Sequence, residues 1–296
     1  MHLLIMRLLI AVVGVAFVSL LVPAFGDMNI DVVVDGLNNP WEMVFAPNGD
    51  IYFSERDGRI WKIESFGEAK VIQTFPKSGS YEGGTLGLAL HPNFEENNKI
   101  FVYQTNLELE FFQNKVFSFT VDGDELIDKK TIMDDIPGAP WHDGGRIAFG
   151  PDDKLYITTG DAVNPGWSQD LSSLAGKILR INPDGTIPDD NPFDSSPIFS
   201  YGHRNPQGIA WSNDGMLVSS EHGPSGEMGY GHDEINVIVK GKNYGWPKVV
   251  GDSSDDSFVN PIIHSGQSTW APSGMVYFGS NKIPSLDGKF LVGALR

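Results

Sequence analysis

The sequence contains no cysteine, so no disulfide bond stabilises the folded chain. Basic residues are also scarce: 21 lysines and arginines stand against 38 acidic residues, for a net charge of −17. This excess of negative charge argues against nucleic acid and anionic membrane surfaces as partners. After the first thirty residues, no long stretch has the spacing of an amphipathic helix. The fold must therefore be stabilised by its core, to which a bound metal could add.

The first 26 residues form the one long hydrophobic segment of the sequence. Arg7 precedes an apolar run from Leu8 to Val18, and Pro23 is followed by the small-residue pattern Ala24-Phe25-Gly26. A positive start, a short apolar centre and a small-x-small end predict a secretory signal peptide. The alternative is an uncleaved N-terminal anchor. Either interpretation places residues 27–296 outside the cytoplasm, as one large domain or two small ones.

A short sequence motif recurs five times along the chain. Each copy has an apolar strand, a turn rich in Pro, Asn, Asp and Gly, and a second, alternating strand. The copies begin at Met43 (MVFAPNGDIYFSERD), Leu88 (LALHPNFEENNKIFVYQ), Ile147 (IAFGPDDKLYITTGD), Ile209 (IAWSNDGMLVSSEHG) and Met275 (MVYFGSNKIPSLDGKFLVGA). Repeated sheet units of about 45–65 residues predict an all-β fold, a β-propeller of four-stranded antiparallel blades. A pair of β-sandwiches is the alternative, but it does not explain the repetition.

The end of the sequence conflicts with a closed propeller. A propeller removes its free sheet edges by joining its last blade to its first. Here the fifth copy has barely finished at Leu295-Arg296, and no sixth hairpin follows. We therefore expect the last blade to be incomplete, or the ring to close in an unusual way.

Residues able to carry chemistry follow the repeated strands. If each loop sits at the same level of its blade, these residues converge on one mouth of the central channel. Taken singly, each is also typical of an ordinary turn or a structural hydrogen bond. Together they supply a base, a carboxylate to orient it, and an arginine with fixed donors. The candidates are His142, Asp161, the run from Gly202 to Gly208, and the run from Glu221 to Pro224.

Six motifs resemble the soluble pyrroloquinoline-quinone (PQQ) dependent glucose/sorbosone dehydrogenases, with aldose sugar dehydrogenases as the nearest members. The resemblance runs in order from about Leu37 to Arg296. The motifs are EGGTLGLALHP, WHDGGRIAFGPDDKLYITTGD, SLAGKILRINPDGTIPDDNPF, YGHRNPQGIAW, EHGPSGEMGYGHDEINVI and NYGWP. It implies a six-bladed propeller, of which about five blades and the start of the sixth are expected in this sequence.

The resemblance also implies a role for particular residues. His142 is the implied general base for the anomeric hydroxyl of a sugar, held by Asp161, while hydride passes to PQQ. Arg204 and Asn205 are implied to bind the quinone oxygens, with Arg204 stabilising negative charge there. The backbone carbonyls of Gly223 and Pro224 are the implied ligands of a Ca²⁺ ion.

Some positions depart from the family pattern. Glu82 stands where glutamine is usual against the cofactor, and Arg296 stands where a lysine usually meets a PQQ carboxylate. Two further arginines of the family have no counterpart in this sequence, and their absence lowers the expected affinity for a trianionic cofactor. The glycines after His142 are expected to permit close approach of the flat cofactor.

Other functions are compatible with the same fold. A calcium-dependent lactonase would use the histidine to activate water, and a non-catalytic propeller would use its surface for binding. The combination of Arg204 and Asn205 with the EHGP loop argues against the lactonase. The retained base argues against the non-catalytic propeller.

We expect a small sugar and an external electron acceptor as partners, in a monomer or homodimer. Asp189-Asp190-Asn191 is a weaker candidate for a structural calcium site.

Overall fold

A computed structural model describes residues 31–65, 67–77, 81–108, 111–224, 231–280 and 283–296. The predicted signal segment, residues 1–26, lies outside the described residues. Strands dominate the described chain: its one α-helix, α1, is the single turn Phe94–Asn97, and Pro165–Gln169 form a short 3-10 helix. No helix within these ranges is long and apolar enough to cross a membrane.

Eighteen strands form five antiparallel sheets. The first sheet contains β1 (Pro40–Phe45), β2 (Ile51–Glu55), β3 (Arg59–Ile63) and β4 (Ala69–Thr74). The second contains β5 (Thr85–Leu90), β6 (Lys99–Glu108), β7 (Phe111–Asp122) and β8 (Glu125–Pro137). The third contains β9 (Ile147–Phe149), β10 (Leu155–Thr159), β11 (Lys177–Ile181) and β12 (Ile198–Tyr201). The fourth contains β13 (Pro206–Trp211), β14 (Leu217–Glu221), β15 (Glu234–Val237) and β16 (Ile263–His264), and the fifth contains β17 (Pro272–Phe278) and β18 (Lys289–Ala294).

The sheets are the blades of an all-β propeller, with each chain segment pairing with the next in order. Each of the five repeats found in the sequence forms the first hairpin of one sheet. In the first hairpin, Gly49 donates its N–H to the carbonyl of Ala46 at 2.9 Å, as the Asn-Gly-Asp turn predicts. Pairing then continues outward through the third and fourth strands.

The described residues form four complete blades and a two-stranded fifth sheet. The expectation of five blades followed by the start of a sixth is therefore wrong for the described chain. The reason is that the repeat marks only a first hairpin, whose outer strands follow later in the chain. Five repeats consequently do not count five complete blades.

The core lies between neighbouring blades rather than inside any one sheet. Because successive side chains of a strand point to opposite faces, adjacent residues of the second blade serve different interfaces. Leu88 and Ile100 pack against the first blade, and Phe101 packs against the third. In the third blade, Ile178 likewise faces the fourth blade. Alternation with both faces buried holds successive blades together and fixes the level of their loops.

A cavity of about 850 Å³ lies among the first strands of the five sheets. Arg146 on its wall forms an ion pair with Glu42 and donates from Nε to the carbonyl of Gln207 at 2.9 Å. Its guanidinium lies 4.0 Å from the ring centre of Trp41. These contacts tie the first, third and fourth blades together beneath the loops that carry the candidate residues.

Candidate active site

The candidate residues meet at one end of the blades. In an antiparallel sheet, the start of the first strand lies beside the end of the second. Glu82 precedes β5, His142 lies in the segment before β9, and Arg204 precedes β13. Asp161 follows the end of β10, and Gly223 follows the end of β14. Residues far apart in the chain therefore share one rim.

His142 is held between a carboxylate and a guanidinium. Its Nδ1 lies 2.7 Å from Oδ1 of Asp161, and its Nε2 lies 2.9 Å from Nη2 of Arg204. A guanidinium has donors only, so Nε2 must be the acceptor in that bond. Nδ1 then carries the proton and donates it to Asp161. The geometry fixes a neutral imidazole with its basic nitrogen facing Arg204.

Asp161 is fully buried and its carboxylate is shared among several donors. The indole Nε1 of Trp246 donates to Oδ2 at 2.8 Å, and the N–H of Val163 donates to Oδ1 at 2.9 Å. Trp246 belongs to the NYGWP motif, in which the sequence alone indicates no role for it. It lies in a segment between β15 and β16, far along the chain, and no spacing rule would have paired it with Asp161.

Arg204 lies at the centre of the cluster and is 9% exposed. Burial lowers the pKa of its guanidinium, whereas the nearby carboxylates of Asp161, Glu221 and Glu82 act in the opposite direction. Its Nη1 donates to the carbonyl of His222 at 3.2 Å, and its backbone N–H donates to Glu221. Arginine stays ionised in proteins, so the site presents a buried cation.

Glu82 and Asn205 use side-chain oxygens to hold the loop around His142. Oε2 of Glu82 accepts the backbone N–H of His142 at 2.9 Å. Oδ1 of Asn205 accepts the backbone N–H of Gly144 at 3.0 Å and the Nε2 donor of Gln207 at 3.1 Å. A carboxylate at position 82 therefore has a structural partner, and a glutamine oxygen would serve the same backbone donor.

The two glycines after His142 pack against the protein itself. A Cβ on Gly144 would lie 2.6 Å from the carbonyl oxygen of Thr158, and one on Gly145 would lie 2.5 Å from a methyl carbon of Leu86. Both glycines have positive φ angles, 66° and 105°. Neighbouring strands fill the space that a Cβ would need, so both positions require glycine, and the expected close approach of a flat cofactor stays a prediction.

Three residues of the site that are not glycine adopt left-handed backbone angles. The φ values are 62° for His142, 50° for Ala162 and 60° for Val163. Such conformations are uncommon for residues with a Cβ and persist only where the surroundings enforce them. Here the bond from the N–H of Ala162 to the carbonyl of His142, at 3.2 Å, joins two of these segments. The concentration of backbone strain at His142, Ala162 and Val163, next to Asp161, is typical of functional sites.

The Gly223-Pro224 segment lies on the fourth blade, beside Arg204 in a small cavity of about 10 Å³. Oδ1 of Asp233 accepts the N–H of Gly223 at 2.8 Å. Burial opposes ionisation of Asp233, but backbone donors from Ala271, Gly223 and Trp270 outweigh it and lower the pKa of this carboxyl. Among the residues that the structure describes, no group of three or more His, Asp or Glu side chains is placed to hold a metal ion.

The remaining candidates lie apart from this cluster. Arg296 is exposed, and its backbone N–H donates to the carbonyl of Trp270 at 3.2 Å. Asp190 and Asn191 accept hydrogen bonds from Nη1 of Arg180 at 2.8 and 2.9 Å. Both side chains therefore have a protein partner, and the structural calcium site at Asp189-Asp190-Asn191 stays a prediction.

Comparison with known proteins gives the same family from three directions. The family model described as "Glucose / Sorbosone dehydrogenase" matches residues 37–296. The chain belongs to the glucose/sorbosone dehydrogenase family. Relatives include the aldose sugar dehydrogenase of Escherichia coli strain K12, 31% identical over 91% of this chain and 78% of that protein. The quinoprotein glucose dehydrogenase B of Acinetobacter calcoaceticus is 33% identical over 77% of this chain and 54% of that protein.

A solved structure extends the match to three dimensions. The PQQ-bound aldose sugar dehydrogenase of Streptomyces coelicolor superposes with a TM-score of 0.81 and 36% identity. The alignment covers 91% of this chain and 78% of that one. The resemblance inferred from the sequence motifs is thus confirmed at the level of the family.

Proposed function

We propose that this chain is a quinoprotein dehydrogenase that oxidises aldose sugars at the anomeric carbon to lactones. The observation that carries the proposal is the contact of His142 with Asp161 on one side and Arg204 on the other. An oriented neutral base beside a buried cation suits removal of a hydroxyl proton next to an anionic acceptor. The family match supports the reaction class.

The residues present fit an anionic quinone in charge and donor type. Arg204 contributes a buried guanidinium, whose Nη1 and Nη2 contact His222 and His142 among the described residues. In the proposal, Arg204 and Asn205 hold the quinone end of PQQ, with Glu82 beside it and Arg296 near a carboxylate. When bound, PQQ supplies the acceptor for the hydride.

A hard cation at Gly223 and Pro224 also fits the donors present. A Cβ on Gly223 would lie 2.2 Å from the carbonyl oxygen of His232 and 2.3 Å from that of Gly231, so this backbone is surrounded by carbonyl groups. Carbonyl oxygens are ligands that Ca²⁺ accepts. In the proposal the carbonyls of Gly223 and Pro224 hold Ca²⁺, and Asp233 fixes the loop through the N–H of Gly223.

The protein's own part in the chemistry is to move one proton. Nε2 of His142 accepts the proton of the anomeric hydroxyl, and Nδ1 keeps its bond to Asp161 throughout. The imidazolium formed in this step is stabilised by the buried carboxylate. Before that, Arg204 must release Nε2, which it does by turning its donors toward an anionic ligand.

The remaining expectations extend this proposal. Six blades are proposed for the closed ring, with support from the family resemblance. Export is proposed from the N-terminal segment, with residues 27–296 acting outside the cytoplasm. An external electron acceptor and a monomer or homodimer complete the proposal.

Reconstitution tests the proposal directly. The protein is loaded with PQQ and Ca²⁺, and dye reduction is followed with a panel of aldoses and, in parallel, with lactones as hydrolysis substrates. Sugar-dependent dye reduction that needs both additions is the expected result. Lactone hydrolysis without sugar oxidation would contradict the dehydrogenase function and support a hydrolase. The absence of both activities would favour a binding propeller.

A further inference from the structure

Two aromatic side chains are stacked and exposed at the rim of the site, and neither has a role in the proposal above. The ring centres of Tyr81 and Trp141 are 5.0 Å apart, and their planes are inclined by only 5°. Tyr81 is 68% exposed and Trp141 is 45% exposed. Large rings are usually buried, and contiguous apolar surface left in water commonly marks a binding site.

The pair is held by the same backbone contacts that hold His142. The N–H of Glu82 donates to the carbonyl of Pro140 at 3.0 Å, and the N–H of His142 donates to Oε2 of Glu82 at 2.9 Å. These two bonds join the loops that carry Tyr81 and Trp141, so the rings are fixed side by side. The rings therefore form a pre-ordered surface.

This surface is continuous with the candidate base. Trp141 immediately precedes His142, whose ring contacts Asp161 and Arg204. The left-handed backbone of His142, with a φ of 62°, lets the imidazole meet these buried partners while the preceding indole remains in water. The stacked rings therefore lie on the two loops that position the candidate base.

We propose that Tyr81 and Trp141 form a stacking subsite for the second pyranose ring of an aldose oligosaccharide. The first ring would present its anomeric hydroxyl to His142, so this inference rests on the proposed function. The apolar C–H face of a pyranose complements the electron-rich face of an aromatic ring. Neither side chain is charged, which suits a neutral ligand, and the fixed pair loses little entropy when a sugar binds.

A ligand that cannot react separates binding from turnover. Maltotriitol and cellotriitol lack the reducing-end anomeric hydroxyl, so they test the subsite by titration calorimetry without oxidation. We expect Trp141→Ala and Tyr81→Ala each to weaken alditol binding by roughly three- to tenfold. Trp141→Phe should retain most of the affinity because it keeps an aromatic face, whereas Trp141→Leu should not. Trp167→Ala, which removes another partly exposed indole, should leave affinity unchanged.

Kinetics of the PQQ- and calcium-loaded protein provide the second measurement. For maltotriose and cellotriose, the alanine variants should raise KM by roughly the same factor with kcat unchanged. For glucose, both constants should stay within about twofold of the original protein, since one ring does not reach the pair. The proposed subsite would be overturned if the variants raised KM equally for glucose and trisaccharide, or if neither substitution changed the affinity for the alditols.

The two proposals fail in different ways. If alditol binding depends on Trp141 but the protein oxidises no sugar, the proposed subsite is supported and the proposed dehydrogenase activity is contradicted. If the protein oxidises sugars and each variant changes KM and kcat equally for glucose and for trisaccharides, the dehydrogenase activity is supported and the proposed subsite is contradicted. No saccharide binding at millimolar concentration would leave the exposed rings as a contact for another protein and overturn the inference.

Discussion

Nη2 of Arg204 lies 2.9 Å from Nε2 of His142, so the basic nitrogen of the candidate base is occupied by a donor. The same guanidinium reaches the carbonyl of His222 at 3.2 Å. A base in this state cannot accept a substrate proton until the arginine finds other acceptors. In the proposed function an anionic cofactor would provide them, and loading of the site would then be coupled to release of the base.

His142→Ala should abolish turnover while leaving cofactor absorbance largely intact. Positioned bases contribute about 10²–10⁴ in rate, so kcat should fall by that range. Cofactor retention is expected because Arg204 and the Gly223 segment remain. Steady-state kinetics and the visible spectrum of the loaded protein measure the two effects.

His91→Ala is the matched control for this variant. His91 follows β5, at the opposite end of the second blade, and accepts the N–H of Asn93 at 3.0 Å. It should leave both turnover and spectrum unchanged. Loss of bound cofactor from His142→Ala with turnover per loaded site preserved would contradict the role of His142 as base.

Trp246→Phe should slow turnover without emptying the site. Its indole donates to Oδ2 of Asp161 at 2.8 Å, and phenylalanine keeps the ring that lies 5.6 Å from the guanidinium of Arg204. The loss of one donor to a buried carboxylate should cost about 1–3 kcal/mol of stability. We expect kcat to fall about tenfold because Asp161 then orients His142 less firmly.

Thermal unfolding and the pH dependence of kcat distinguish this role from a purely structural one. Trp246→Phe should move the pH–rate profile because the carboxylate that orients His142 has changed, whereas Trp167→Phe should not. A lower melting temperature with unchanged kcat and an unchanged pH dependence of kcat would show that Trp246 contributes only to packing.

The sequence predicted the first hairpins and the shared rim, but not the size of the blades. Turn residues and alternation are local signals, so Asn48-Gly49-Asp50 correctly predicted the end of β1 and the start of β2. The outer strands are less regular, as the two-residue β16 illustrates, and give no repeating pattern. The number of complete blades therefore could not be counted from the sequence repeats, and the described residues form four of them with a two-stranded fifth sheet.

Within the site, the residues with titrating or cationic side chains could be predicted, while those that hold them could not. His142, Asp161 and Arg204 have chemistry that a motif displays. Trp246 reaches Asp161 across 85 positions, and an indole N–H in NYGWP gives no sign of its acceptor. The role of Gly144 also depends on a neighbour, the Thr158 carbonyl, that only the folded sheet brings close.

Gly160→Ala should destroy the site by displacing the loop of His142. A Cβ at this position would lie 1.8 Å from the carbonyl oxygen of His142 and 2.9 Å from Oδ1 of Asn205. The backbone must move, because the first of these contacts is not with a flexible side chain. We expect a loss of stability of about 3–5 kcal/mol together with loss of turnover.

Gly166→Ala provides the comparison in the same loop region. Its Cβ would meet only Oδ1 of Asn164, at 3.6 Å, and its backbone does not require a positive φ. Denaturant unfolding and activity should therefore match the original protein. Normal stability in Gly160→Ala would show that the close approach of the two loops is not needed for folding.

Glu234 should make stability decrease as the pH rises from about 4.5 to 8. Burial and the neighbouring charge of Glu221 raise the pKa of this carboxyl to about 8. The folded protein then keeps a proton that the unfolded chain has already released, and a state that binds more protons is stabilised at low pH. The Glu234 contribution is thus fully present below the unfolded pKa and is lost as the pH rises toward the folded pKa. Glu234→Gln cannot ionise, so the decrease attributable to this group, on the order of 1–3 kcal/mol, should disappear.

Melting temperatures measured at intervals between pH 5 and pH 8 test this assignment. The difference between the original protein and Glu234→Gln should grow steadily in favour of the variant across that range. Glu125→Gln, which removes an exposed carboxyl from β8, should instead track the original protein. Because Glu234 lines the small cavity next to Arg204 and Trp246, a constant difference would mean that the carboxyl is already ionised there.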